Sequence, residues 1–174
     1  DPERLRVLTE KRLAVLTGDD VMVSEAAFKL RRGLILNGVR IRAAGMPDDA
    51  PAMELGTLRL RPRWGALLKG KVLWRTVEMA DVNINAQLDE TGRWRFLEQI
   101  NLASITLGAP GAAPEIHVSN ASIRVAGLTT TMGPLPELNL TKVHAIFTPG
   151  EDGKTLEARV WSRKGDLGRP SVFL

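Results

Sequence analysis

Two histidines, His117 and His144, stand at polar positions of two apolar-alternating segments, with Ser119 and Ser122 close to the first. A hydroxyl nucleophile needs a base within hydrogen-bond reach and a third group to orient that base. The sequence has no nucleophile elbow and no third member at a telling spacing, so both histidines read as outward-facing strand residues. Gly65-Ala-Leu-Leu-Lys-Gly-Lys-Val72 has the spacing of a phosphate-binding loop up to its last position. Val72 stands where Ser or Thr must ligate magnesium, and strand character follows where a helix is required. The acidic pairs Asp19-Asp20, Asp48-Asp49, Asp89-Glu90 and Glu151-Asp152 are turn chemistry, and none has the ligand spacing of a calcium cage. Cysteine is absent, which removes disulfides, thiol nucleophiles and thiolate metal sites. These residues predict a protein that is not an enzyme, with no cofactor and no metal.

Charge and aromatic residues point to surfaces rather than to reactions. The formal net charge is +4, but residues 1–75 hold 15 Lys and Arg against 9 Asp and Glu. The densest cationic cluster is Arg59, Arg61, Arg63, Lys69 and Lys71, read as contacts for anionic headgroups or for a partner. Trp64, Trp74, Trp94 and Trp161 sit near element ends, where their rings suit core or groove-rim packing, and the amphipathic rings of Trp64 and Trp74 also suit a bilayer surface. With four Trp, four Phe and no Tyr, stacking platforms for single-stranded nucleic acid are scarce, and no nucleic-acid partner is expected.

The elements that must position these residues are mostly strands. Of the 174 residues, 44% are hydrophobic and 25% charged, a globular composition long enough to bury a sizeable core. No run of eighteen apolar residues exists. Pro2 and Glu3 suit a first helical turn, and Leu5, Leu8, Arg12, Leu13 and Leu16 follow helical spacing up to Gly18. This predicts a capping helix over 1–18. From Val21 onward the period is two, and a short helix near 63–69 interrupts it. The organisation expected is a first β unit over 19–100, a linker over 101–115 and a second, truncated β unit over 116–174. Hairpins are expected at Asp89–Gly92, returning through Arg93–Leu97, and at Glu151–Lys154.

Five segments repeat one pattern: Leu34–Ile41, Met53–Leu60, Val77–Ile84, Ile116–Ile123 and Leu138–Ala145. Each reads apolar-x-apolar, two mostly small or polar residues, then apolar-x-apolar. Strict alternation would send the second apolar pair to the opposite face. One extra residue, as in a β-bulge, restores it to the same face. Gly38 suits that residue best, and Asp81 and Asn120 tolerate the same backbone region. The pattern leaves two architectures open. One is a strongly curved, bulged antiparallel sheet with an apolar trough. The other is an ordinary antiparallel sheet whose apolar face is closed by the two helices.

The order of these segments resembles the AsmA-like family of bacterial envelope proteins, which includes the TamB and YhdP groups. The resemblance runs from Leu13-Ala-Val-Leu-Thr-Gly18 and Val21–Leu30 through Gly33–Ile41, Leu58–Arg61 and Trp64–Leu68 to Gly70-Lys-Val72. Its most telling stretch is Val77–Ile84 leading into Asp89-Glu-Thr-Gly-Arg-Trp-Arg-Phe96, and Ile116–Val125 and Leu138–Phe147 keep the rhythm. Members of that family begin with a transmembrane helix and are far longer than this chain. Both departures fit a soluble fragment whose upstream anchor is missing.

The resemblance implies a repeating β-groove fold, an inner-membrane anchor, a periplasmic body, and phospholipid transport that serves outer-membrane biogenesis. Phospholipid and the membrane are then the partners, with envelope proteins as further ones. The groove-lining candidates are the apolar repeat positions Leu34, Leu36, Val39, Ile41, Leu58, Leu60, Val77, Met79, Val82, Ile84, Ile116, Val118, Ile123, Leu138, Leu140 and Val143. The alternative is a structural or protein-interaction β-domain of the envelope with no lipid cargo.

Overall fold

The computed structural model describes residues 2–17, 20–42, 51–71, 73–87, 113–127, 129–130, 133–134, 136–150, 156–162 and 172–173. Helix α1 spans Pro2–Thr17, and a short α2 spans Trp64–Leu67. The strands are β1 (Asp20–Lys29), β2 (Gly33–Arg42), β3 (Met53–Pro62), β4 (Trp74–Gln87) and β5 (Glu115–Ala126). The two-residue β6 (Thr129–Thr130) and β7 (Gly133–Pro134) follow, then β8 (Leu138–Pro149), β9 (Leu156–Ser162) and β10 (Val172–Phe173). The mainly β architecture with an N-terminal helix and one short helix is as the sequence predicts. The hairpin at 89–97, with Trp94, and the turn at 151–154 lie outside the described residues.

One open eight-stranded sheet, in the order β1-β2-β3-β4-β5-β8-β9-β10, carries the fold, and β6 pairs only with β7. Every neighbouring pair in the sheet is antiparallel except β4 and β5, which run parallel from Thr76↔Glu115 to Gln87↔Ala126. The expectation of a wholly antiparallel sheet is corrected at this seam. Alternation specifies which face a side chain takes but not strand direction. A parallel pair needs a long crossover, and residues 88–114 supply the length for one.

The extra residue of the repeat is present and forms a line. Gly38, Asp81, Asn120 and Lys142 all have left-handed backbone, with φ of 60°, 54°, 53° and 56°. Each is the fifth residue of its eight-residue segment. On β1 to β5 the ladder is interrupted at Ser24, Gly38, Gly56, Asp81 and Asn120, then resumes in the same register. Because all five strands reset at one level, no strand runs short against its neighbour, as it would at an isolated bulge. Between β5 and β8 the register slips on both sides of Ala121, and between β3 and β4 it slips at the strand end, at Arg61/Pro62.

The reset keeps the apolar residues together. Leu36 and Val39, three positions apart and so on opposite faces of a strictly alternating strand, are both buried. The same holds for Val23 and Ala26 and for Leu55 and Leu58. On the other face the reset line is polar. Ser24 Oγ donates to Gly38 O at 3.3 Å, and Asn120 Nδ2 donates to Asp81 Oδ1 at 2.6 Å. A methyl group added at Gly38 would run into Ser24 Oγ, and one at Gly56 would lie 2.9 Å from Asp81 Cβ.

Helix α1 lies against β1, the outermost strand of the sheet. Leu5, Leu13 and Ala14 pack on the core cluster, and Thr9 is buried between them with its hydroxyl donating to Leu5 O at 2.7 Å. Leu8, expected in the apolar stripe, is 57% exposed. The buried line runs Leu5–Thr9–Leu13 instead, because a helix resting on a strand edge needs only a narrow seam of i, i+4 positions. Among the described residues no helix is long and apolar enough to cross a membrane.

Candidate functional site

The apolar face of the sheet is continuous over several strands. All sixteen groove-lining candidates except Ile123, Leu138 and Leu140 belong to or pack against one continuous cluster. That cluster runs from α1 across β1 to β5 and reaches Val143 on β8. Thirteen of the sixteen repeat positions thus fall on one side of one sheet.

Within this face the structure separates two zones. Leu36, Val39, Ile41, Leu58, Val77 and Val82 are buried, Leu36 fully and Val82 at 1% exposure. Leu34, Leu60, Met79, Ile84, Ile116, Val118, Ile123 and Val143 are half-buried. Leu138 and Leu140, at the start of β8, are exposed at 46% and 40%. The face is driest around Leu36, Val39 and Val82, and is open at Leu138 and Leu140 at the start of β8 and at Phe28 near the end of β1.

Sequence reasoning left out several members of this face. Val21, Val23, Ala26, Leu55, Ala121 and Ala145 are all buried on it. Val21-Met-Val-Ser-Glu-Ala26 has the repeat spacing itself, with alanine where four of the five segments carry Val or Leu. Ala121 likewise holds the sixth position of its segment. Small apolar residues at these points are the signal that was available.

The polar face carries its own order. Glu78 on β4 accepts from both Arg59 (2.9 Å) and Arg61 (2.8 Å) on β3, and Arg40 pairs with Glu54 at 3.1 Å. Arg63 donates to Ala113 O at 3.3 Å. Of the five cations proposed for headgroups, these contacts occupy three, which leaves Lys69 and Lys71 exposed and without an ionic partner among the described residues. At the far end Arg124 forms a two-pronged pair with Glu137, its Nη2 at 2.8 Å from Oε2. That hydrogen bond holds the Glu137 carboxyl below its ordinary value and raises Arg124, with slight burial opposing both.

The chemical candidates are accounted for by ordinary contacts. His117 Nε2 lies 2.8 Å from Glu115 Oε1 on the same strand, and Ser119 Oγ donates to Met79 O at 3.2 Å, which takes its proton away from the histidine. His144 stacks on Trp161 across β8 and β9, with ring centroids 5.8 Å apart. Gly65 lies inside α2 and Gly70 in the turn after it, with β4 following, so the residues around the lysines form no phosphate cradle. Among the described residues no three acidic or histidine side chains come together as metal ligands. A shallow cleft of about 310 Å³ includes Glu54, Asn83, Asn85, Ser122 and Arg124 in its wall. Its strongest polar groups are already engaged, Glu54 by Arg40, Asn85 by Pro51 O and Arg124 by Glu137.

No protein-family model matches the chain, and no curated protein matches it.

Proposed function

We propose that this chain is a non-enzymatic lipid-binding module of the AsmA-like, β-groove kind, held in the periplasm by an inner-membrane anchor. The observation that supports this reading best is the single apolar face that continues across the sheet and opens at β8. A face that is dry around Leu36, Val39 and Val82 and exposed at the start of β8 offers acyl chains a surface to lie on, while their headgroups stay in water at the sheet edge. Each buried methylene contributes about 0.8 kcal/mol, so a sixteen-carbon chain half covered gains roughly 6 kcal/mol. That is enough to hold a chain and weak enough to let it slide, which suits transport between membranes for outer-membrane homeostasis. No bond is made or broken.

The decisive measurement is native mass spectrometry of the purified chain, with extraction and separation of co-purifying lipid. Phospholipid adducts are expected, and they should disappear in a Leu138→Asp/Leu140→Asp variant that keeps its circular dichroism. Val82→Asp, which buries a charge in the dry zone, is expected to unfold the chain instead. A clean protein mass that takes up no added phospholipid overturns the reading.

The dry zone favours a second reading. Leu36, Val39 and Val82 are as buried as any closed core requires. A β-domain that recruits an envelope protein through its exposed apolar strand would need no lipid. It predicts no adduct, and a partner lost on the same Leu138→Asp/Leu140→Asp change.

A further inference from the structure

Two turns at one end of the sheet carry apolar tips set among cations that have no ionic partner among the described residues. The β1–β2 turn closes with Arg32 N–H donating to Lys29 O at 2.9 Å. At its tip Leu30 is 73% exposed, and Lys29, Arg31 and Arg32 around it are exposed as well. The β3–β4 connection holds α2 and its following turn, where Leu68 is 89% and Trp64 40% exposed, with Lys69 and Lys71 beside them. The register places the two turns together: Leu34↔Leu60 is the last pair before both connections, and Gly33 abuts Pro62. Neighbouring strands lie about 4.8 Å apart, so the bases of the two turns are adjacent.

From this juxtaposition we infer that this end of the sheet docks directly on an anionic bilayer surface. Exposed leucine and tryptophan side chains beside exposed lysines and arginines are what an interface of acyl chains and negative headgroups accepts. A purely apolar protein partner would leave five cations desolvated and unpaired, at high cost. A purely ionic partner would leave Leu68 and Leu30 in water. Arg59 and Arg61, by contrast, are engaged by Glu78 and take no part. The docking surface is separate from the exposed Leu138 and Leu140, since Leu138 pairs with Val125 at the opposite end of β5. The inference thus goes beyond the lipid-groove reading: it places the membrane at one end of the sheet and the exposed start of β8 at the other.

The test is co-sedimentation of the full chain with vesicles of phosphatidylcholine containing 30% phosphatidylglycerol, against pure phosphatidylcholine, at low and high salt. Binding is expected to the anionic vesicles only, with a blue shift of tryptophan fluorescence. Each cation near such a surface is worth roughly five-fold in affinity. Lys69→Gln/Lys71→Gln should therefore weaken binding by more than ten-fold, and Arg31→Gln/Arg32→Gln by a similar factor. Leu30→Asp/Leu68→Asp should weaken it at least as much, and all these sites are exposed, so the fold is expected to persist. Leu138→Asp/Leu140→Asp should leave docking unchanged even where it removes co-purifying lipid, which keeps the two ideas separable. Equal binding to neutral vesicles, or no loss in the turn variants, overturns the inference. So does heparin binding that matches vesicle binding and ignores Leu30→Asp/Leu68→Asp, which would mark a general polyanion patch.

Discussion

The left-handed residues show how single positions decide which face a strand presents. Each L-residue held there pays about 1–2 kcal/mol, and glycine pays none of it. Gly38 adds a close approach to Ser24, so Gly38→Ala meets both the backbone penalty and a clash. We expect it to lower stability by about 2–3 kcal/mol in urea unfolding. Ser24→Gly in the same chain should return part of that loss, because it removes the clash and leaves the backbone penalty. Lys142 is exposed and left-handed, with φ of 56°. Lys142→Gly trades the backbone penalty for glycine's extra unfolded-state entropy and should raise stability by about 0.5–1 kcal/mol. A loss of stability on Lys142→Gly would mean that the lysine stem covers apolar surface of β8 that outweighs its strained backbone.

At the scale of elements, α1 solves a problem that β1 creates. An edge strand offers unpaired N–H and C=O groups to any passing chain. Here Glu10 Oε1 accepts from Val23 N–H at 2.9 Å and from Arg6 Nη1 at 2.7 Å, so a helix side chain stands in for a missing strand. Glu10→Ala should cost about 1–2 kcal/mol and speed hydrogen exchange at Val23, while Glu10→Gln, which keeps an acceptor, should cost less. Exchange at Val23 that is unchanged in Glu10→Ala would show that the helix shields the edge by packing alone. Elements were unevenly legible in the sequence. The bounds of α1 and the bend residues Gly38, Asp81 and Asn120 could be read, because capping and left-handed backbone select residue types. Lys142 could not, since lysine carries no preference for that region. The apolar face was legible as a set of positions, but its division into dry and open zones was not, because burial depends on which strands become neighbours. Nor was the pairing of the β1–β2 turn with α2, which follows from register and leaves no mark in either segment.

For the whole molecule the parallel seam matters most. The sequence suggests two β units joined by a linker, and β4 and β5 belong to different ones. In the structure these strands pair from Thr76↔Glu115 to Gln87↔Ala126, and Val77 and Val82 share a cluster with Ala121, Ile116 and Val143. The apolar face has no gap at the proposed boundary, so the two units are expected to stand or fall together. Far-ultraviolet circular dichroism and tryptophan fluorescence should then give one coincident urea transition. Ala121, 2% exposed beside the seam, tests this from the second unit. Ala121→Asp puts an unpaired charge in the shared core and should move the single transition to lower urea by about 3–5 kcal/mol in free energy. If only part of the signal moves, leaving a residual transition at the original midpoint, the first unit folds without the second. The continuous face would then be an assembly of two grooves rather than one, and any acyl chain would have to cross a joint that opens independently at the seam.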